Sequence, residues 1–160
     1  MKASRKLWRR RELLAWGAAS SLLAGPSLAA NAVLPVPESL GDELAKALRL
    51  GQPLVVMVSL EGCPYCRVAR DHYLEPLRTQ DAAYVVQVDM RTNKPILDFD
   101  GTPLTHDKVV RAWGVRVAPT VLFFGRRGKE VAERLVGAVL PDFYGAYLDQ
   151  RLQTARMAVR

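Results

Sequence analysis

The chain has little sulfur and little imidazole. Of its 160 residues, two are cysteine and two are histidine. Two cysteines are too few for a small disulfide-stapled scaffold. Cys63, Cys66, His72 and His106 do not make a zinc set either. His72 lies six residues past Cys66, on a different helical face, and no zinc-ligand spacing matches. Haem attachment through C-x-x-C-H is excluded because Arg67 follows Cys66. Asp98 and Asp100 lack the remaining ligands of a calcium loop and read as turn residues. Gly and Pro, at 11 and 10 residues, are too few for a collagenous or low-complexity chain. No internal repeat is visible.

Excess charge is also missing from most of the chain. The formal net charge is +7. Residues 1–32 hold six of the cations (Lys2, Arg5, Lys6, Arg9, Arg10, Arg11) and one anion, Glu12. The remainder carries 17 cations against 15 anions, so no phosphate-tracking stripe and no nucleic-acid partner are expected. What is present is one domain's length and 49% hydrophobic residues, enough for a core.

The first segment reads basic, then apolar, then small. L-L-A-W-G-A-A-S-S-L-L (13–23) follows the cations, Gly25-Pro26 breaks any helix, and 27–29 and 30–32 both have a small-x-small form. Residues 1–32 are therefore expected to be a secretory signal peptide. Arg10-Arg11 resembles a twin-arginine signal, with the general secretory route as the alternative. The uncharged run 13–36 leaves an uncleaved membrane anchor as the other reading. Residues 33–38, with Pro35 and Pro37, read as an extended linker, and 39–160 as the domain.

Within the domain, Ser39 is a candidate N-cap for a helix over 40–49, with Leu40, Leu44 and Leu48 on one face. The apolar run 54–60 suits a strand buried on both faces. A helix follows to about residue 78, with a bend expected at Pro76. Residues 84–90 form a second strand, which completes a βαβ unit. Residues 91–104 read as a polar connection. Thr105 caps a short helix ended by Gly114, and 120–124 is a strand. Residues 125–128 form a turn, and 130–136 are its antiparallel partner. Pro141 opens the last helix, where Tyr144, Leu148 and Leu152 share a face that Tyr147 and Ala155 widen. The fold class is α/β, a mixed sheet flanked by helices. Tyr73, Leu74 and Leu77 read as core, and His72 and His106 as surface or partly buried neutral residues.

The chemistry is carried by C-P-Y-C (63–66), placed after a buried strand and opening a helix. The first turn of a helix has unpaired N–H groups and partial positive charge, which stabilises a thiolate at Cys63. Pro64 suits the first helical position, where no donor is missed. Cys66, one turn on, faces the same way. Cys63 is expected to attack a disulfide and Cys66 to resolve the mixed disulfide. A purely structural bridge over so short a loop would constrain the unfolded chain little. Arg67 and Arg70 lie further along the helix, and Glu61 opposes a thiolate. A potential of roughly −270 to −200 mV is therefore expected.

The buried strand, C-P-Y-C, the βαβ unit and V-A-P-T (117–120) before a hairpin together resemble the thioredoxin fold. D-F-D-G (98–101), the helix through Trp113 and G-V-R-V-A-P-T (114–120) are similar to exported thioredoxin-like proteins of bacteria, the SoxW-like group. The likeness covers about residues 40–155. It implies a periplasmic location and a cis Pro119 beside the cysteines, an ordinary trans proline being the alternative. It also implies that Pro64, Tyr65, Ala118 and Pro119 contact substrate. Ala118 stands where threonine or serine is frequent. Gly137 matches a glycine that lets the last strand pass the site, or is a plain turn residue. Two departures stand out. Glu61-Gly62 replaces the tryptophan region of W-C-G-P-C, and Met57 occupies the position of a buried acid that helps deprotonate the second cysteine. Glu61 is either its substitute or a solvated loop charge.

The function this implies is an exported thiol–disulfide oxidoreductase serving cell redox homeostasis. It reduces or isomerises disulfides of other exported proteins and receives electrons from a membrane thiol–disulfide donor. No cofactor beyond the Cys63–Cys66 disulfide and no metal is expected, and the protein is expected to be a monomer. The alternatives are a disulfide-forming oxidant and a non-catalytic binding or assembly module.

Overall fold

The computed structural model describes residues 33–137 and 141–160. The expected signal peptide, 1–32, lies outside the described residues, as does most of the candidate anchor. Helix α1 (Leu40–Arg49) begins where Ser39 Oγ accepts the Asp42 N–H at 3.2 Å. It buries Leu40, Leu44 and Ala47. Strand β1 (Leu54–Ser59) is buried at all six positions. It pairs in parallel with β2 (Tyr84–Asp89) and antiparallel with β5 (Thr120–Phe124), while β6 (Leu135–Val136) pairs antiparallel with β5. The sheet order is β2-β1-β5-β6, a mixed sheet as the sequence predicts.

The continuous apolar run of β1 has a direct cause. Successive side chains of a strand point to opposite faces, and here both faces are covered. Val55 and Met57 join a cluster with Leu74, Phe123, Tyr144, Leu148 and Leu152. Leu54, Val56 and Val58 join a second cluster with Leu40, Leu44, Val109, Val110 and Phe124. Each fully buried Val or Leu contributes roughly 1.5–3 kcal/mol. The sheet is thereby a rigid platform, and the first cysteine follows its central strand by four residues.

Several expectations need correction. The helix after the cysteines is interrupted just ahead of Pro76. It runs as α2 (Pro64–Ala69), a π-type turn at Arg70–Leu74, and α3 (Glu75–Gln80). The Glu75 N–H donates to the Arg70 carbonyl. Proline has no N–H and its ring crowds the carbonyl four residues back, so a wider turn just ahead of it accommodates the ring. The polar connection 91–104 contains a hairpin of β3 (Pro95–Leu97) and β4 (Pro103–Thr105), with Ile96 buried. Asp98 Oδ1 closes its turn by accepting the N–H groups of Asp100 and Thr102 at 3.0 and 2.9 Å.

Thr105 Oγ1 caps α4 (His106–Ala112) at 3.3 Å as expected, but His106 is fully buried. The partner of β5 is not continuous over 130–136. Glu130 forms a single bridge to Phe124, and pairing resumes only at β6. Between them, Arg134 returns to the Glu130 carboxylate and donates to the Trp113 carbonyl at 2.8 Å. Four residues of extended strand would set the two Cα atoms about 13 Å apart, so the ion pair suits a coiled segment. In α5 (Pro141–Val159) the buried face is Tyr144, Leu148, Leu152, Ala155 and Val159. Tyr147 is 44% exposed and does not widen it.

The segment 33–38 is extended as expected and is bound to the fold. Its Pro35 carbonyl accepts the Gln87 N–H at 2.8 Å and its Glu38 carbonyl the Leu97 N–H at 2.9 Å. Leu34 is 1% exposed, in the same cluster as Met57 and Phe123. The described residues belong to one unit, Asn31–Arg160.

Candidate active site

Cys63 is the N-cap of α2, with extended backbone, and its Sγ accepts the Cys66 N–H at 3.1 Å. Pro64 occupies the first turn, where its missing N–H leaves no bond unmade. The two cysteines form a disulfide, with Cα atoms 5.3 Å apart. They are not equivalent. Cys66 is 1% exposed and belongs to the core cluster that holds Met57, whereas Cys63 is only half-buried. An incoming group therefore reaches Cys63 first.

The loop before β5 faces the pair. The Ala118–Pro119 peptide bond is cis. The Ala118 carbonyl oxygen lies 3.9 Å from Cys63 Sγ. The loop is held at both ends, by Thr120 Oγ1 donating to the Val117 carbonyl at 2.7 Å and by the Gly137 N–H donating to the Pro119 carbonyl at 2.7 Å. Gly137 has φ 75°, the left-handed region that glycine enters without strain. Cys63, Cys66, Ala118 and Pro119 are thus brought together. Tyr65 stands on the outer side of the helix, 66% exposed, and Pro64 is exposed beside it. Val68, Val117 and Val136 are further exposed apolar side chains.

A cleft of about 550 Å³ opens on the other side of Cys63. Arg67 and Arg70, expected further along the helix, line it together with Cys63. Arg70 donates from Nε to Gln87 Oε1 at 2.9 Å and from a terminal nitrogen to Ser59 Oγ at 3.2 Å. Gln87 Nε2 donates in turn to Asp89 Oδ1 at 2.6 Å, and Lys94 Nζ to Asp89 Oδ2 at 2.8 Å. The hydrogen bond to Asp89 holds the Lys94 ammonium pKa above its ordinary value. Glu61 lines the same cleft and is exposed. A sequence signal for this cluster exists: positions 63, 67 and 70 fall on one stripe of a helix.

Among the described residues, no three His, Cys, Asp or Glu side chains are grouped to hold a metal ion. None of the described helices is long and apolar enough to cross a membrane.

The same fold is found in solved structures. The chain is similar in fold to a thioredoxin from Thermus thermophilus at 24% identity and a TM-score of 0.50, covering 76% of this chain and 85% of that one. Thioredoxin f2 from Chlamydomonas reinhardtii matches at 16% identity and 0.50, covering 74% and 94%. A thioredoxin-fold protein from Helicobacter pylori matches at 14% and 0.50, covering 81% and 90%. No curated protein matches the sequence. Residues 40–152 match the thioredoxin-like domain family. That span holds the cysteine pair, the cis-proline loop and every strand of the sheet, so the chain belongs to the thioredoxin-like domain family.

Proposed function

We propose that this protein is an exported thiol–disulfide oxidoreductase that reduces or isomerises disulfides of other exported proteins. The observation that carries the reading is the Cys63–Cys66 pair at the start of α2, with the half-buried Cys63 3.9 Å from the cis-Ala118–Pro119 loop. In the reduced form, the Cys63 thiolate attacks one sulfur of a substrate disulfide. A Cys63–substrate bond forms, the substrate S–S bond breaks, and the second substrate sulfur leaves as a thiolate that takes a proton from water. Cys66, deprotonated, then attacks the Cys63 sulfur. The Cys63–Cys66 bond forms and the second substrate thiolate is released. Two electrons pass from the dithiol to the substrate, and no other redox group is needed.

Pro64, Tyr65, Ala118 and Pro119 form the substrate-contacting rim. The exposed Tyr65 and Val117 supply apolar contact, and backbone groups of Ala118 pair with the substrate chain. The charged N-terminal signal supports export, and the protein acts as a monomer in the periplasm. That compartment is oxidising, so a membrane thiol–disulfide donor must return the electrons.

Insulin reduction tests the activity. Wild type should precipitate insulin with dithiothreitol as electron source, and Cys63→Ser should not. Cys66→Ser should accumulate mixed disulfides on Cys63; finding substrates joined to Cys66 instead would reverse the roles. N-terminal sequencing of protein from the cell envelope should begin at Ala30 or Val33, and an intact Met1 on a membrane-bound form would replace export with anchoring.

A further inference from the structure

The cleft beside Cys63 contains a charge that the thiol cycle does not explain. Arg70 is half-buried, and its two side-chain bonds go to the neutral oxygens of Ser59 and Gln87. Among the described residues, no carboxylate oxygen lies within 4.0 Å of an Arg67 or Arg70 side-chain nitrogen. Of the two acids on the cleft wall, Asp89 is engaged by Lys94 and Gln87, and Glu61 is exposed. Taking a guanidinium partly out of water without a counter-charge is unfavourable, so its placement calls for an anion that comes and goes. The guanidinium also has more N–H donors than these two bonds use.

The placement relative to the sulfur narrows the ligand. Arg67 and Arg70 follow Cys63 by about one and about two helical turns, roughly 6 and 10 Å along the axis. Helical side chains tilt toward the N-terminus, which brings both guanidinium groups back toward Cys63. Cys63 and both arginines line one cleft of about 550 Å³. Clefts of that size enclose small molecules rather than a protein surface. Carboxylates and sulfonates match a guanidinium fork.

We propose that this cleft selects low-molecular-weight disulfides carrying a carboxylate or sulfonate a few ångströms from the sulfur attacked by Cys63. The proposal rests on the oxidoreductase reading and names a substrate class for the same sulfur, distinct from the apolar rim at Tyr65 and Val117. The anionic group docks on Arg67 and Arg70, and Cys63 attacks the adjacent sulfur. One anionic thiol leaves at that step and the second when Cys66 closes the intramolecular bond. The products are two thiols and the protein disulfide, from one disulfide and the protein dithiol.

Single-turnover reduction by the full-length, pre-reduced protein tests this, read by acid quench, alkylation and mass. The probes are 3,3′-dithiodipropionate (dianionic), 2-hydroxyethyl disulfide (neutral) and cystamine (dicationic). Each rate constant is divided by that of free dithiothreitol with the same probe, which removes intrinsic reactivity. At low ionic strength the normalised ratio of dianion to neutral should be about tenfold, carried by half-saturation rather than by the limiting rate, with cystamine slowest. Half-molar salt should bring the ratio near unity. Arg67→Gln with Arg70→Gln should do the same, and the exposed Arg67→Gln alone should lower it partway. Arg111→Gln removes the same single charge as Arg67→Gln, from a different cleft, and should leave the ratio intact. Equal normalised rates for all three probes, or a ratio that survives in the double variant, would overturn the anion site while leaving the oxidoreductase reading standing. Failure to reduce any probe while insulin is still reduced would overturn the anion site alone, and failure with insulin as well would overturn both readings.

Discussion

Mild acid should destabilise this protein through one buried imidazole. His106, the first residue of α4, is 0% exposed. Its Nδ1 accepts the Asp89 N–H at 3.0 Å, so the ring is neutral and carries its proton on Nε2. That Nε2 is buried without a partner among the described residues. Protonation puts a second N–H against the Asp89 N–H and a charge where water does not reach. Burial lowers the pKa below the ordinary 6.5; the nearby Asp89 carboxylate opposes this and Lys94 adds to it. The unfolded chain accepts a proton near 6.5, while the folded chain accepts it only at lower pH. Between those values the unfolded state holds one more proton. Stability is therefore full above 6.5 and falls with decreasing pH, by about 1.4 kcal/mol per pH unit for one proton, until the folded pKa is passed. Glu43, Glu75 and Asp107 have pKa values lowered below 4.5, 4.5 and 3.8, so their losses belong to a separate window at lower pH. Urea unfolding at pH 7.5, 6.5 and 5.5 measures the slope. His106→Gln keeps an acceptor for the Asp89 N–H and does not titrate in this range. Wild type should lose more than the variant between pH 6.5 and 5.5, by at most about 1 kcal/mol. His72 is present in both proteins and cancels. Equal slopes would refute the assignment of this loss to His106.

Two further perturbations are specific. Gly128 has φ +63°, and an added Cβ would come within 2.5 Å of the Phe99 ring, which packs at a tilt against Phe124 with ring centroids 4.8 Å apart; Gly128→Ala should cost about 2–5 kcal/mol in urea unfolding. Gly51 has φ +68° with nothing within 4 Å, so Gly51→Ala should show only the backbone cost of about 1–2 kcal/mol, and equal losses at both sites would refute the ring contact as the cause. For the cysteine pair, the cationic cleft favours the Cys63 thiolate, so the potential should lie in the upper part of the roughly −270 to −200 mV range, read by equilibration with glutathione buffers. Arg67→Gln with Arg70→Gln should lower it by about 20 mV, the equivalent of ~1 kcal/mol, and a wild-type value near −120 mV would instead make the protein an oxidant.

Much of the fold was legible because local and tertiary preferences agree. Ser39 and Thr105 cap the helices they precede, and the apolar run of β1 is buried on both faces because helices cover both. The elements that were not legible depend on partners distant in sequence. β3 and β4 are three residues each and contain prolines, so neither shows alternation; their pairing and the burial of Ile96 define them. Leu34 resembles any apolar residue beside two prolines, and only the sheet beneath it makes segment 33–38 part of the fold. His106 reads as surface or partly buried because nothing nearby in sequence reveals that Asp89 presents its N–H to the ring.

The site divides along the same line. C-P-Y-C and V-A-P-T could be read because each motif is contiguous, and the sheet brings them to 3.9 Å across fifty-five residues of separation. The cationic wall could have been read in part. Arg67 and Arg70 share the stripe of Cys63, a relation of helical spacing alone. Their significance was hidden because their charge balance depends on side chains elsewhere. Ser59 ends β1, and Gln87 and Asp89 lie on β2 in parallel register with Met57 and Ser59. Had one of the oxygens facing Arg70 belonged to a carboxylate, the guanidinium would be half of an internal ion pair. Ser59 and Gln87 are neutral, and the acid at the end of β2 is turned toward Lys94. The same helix thus carries the nucleophile at its start and an unbalanced cation two turns on, and it is this pairing of sulfur and charge that distinguishes the site from a bare thiol cycle.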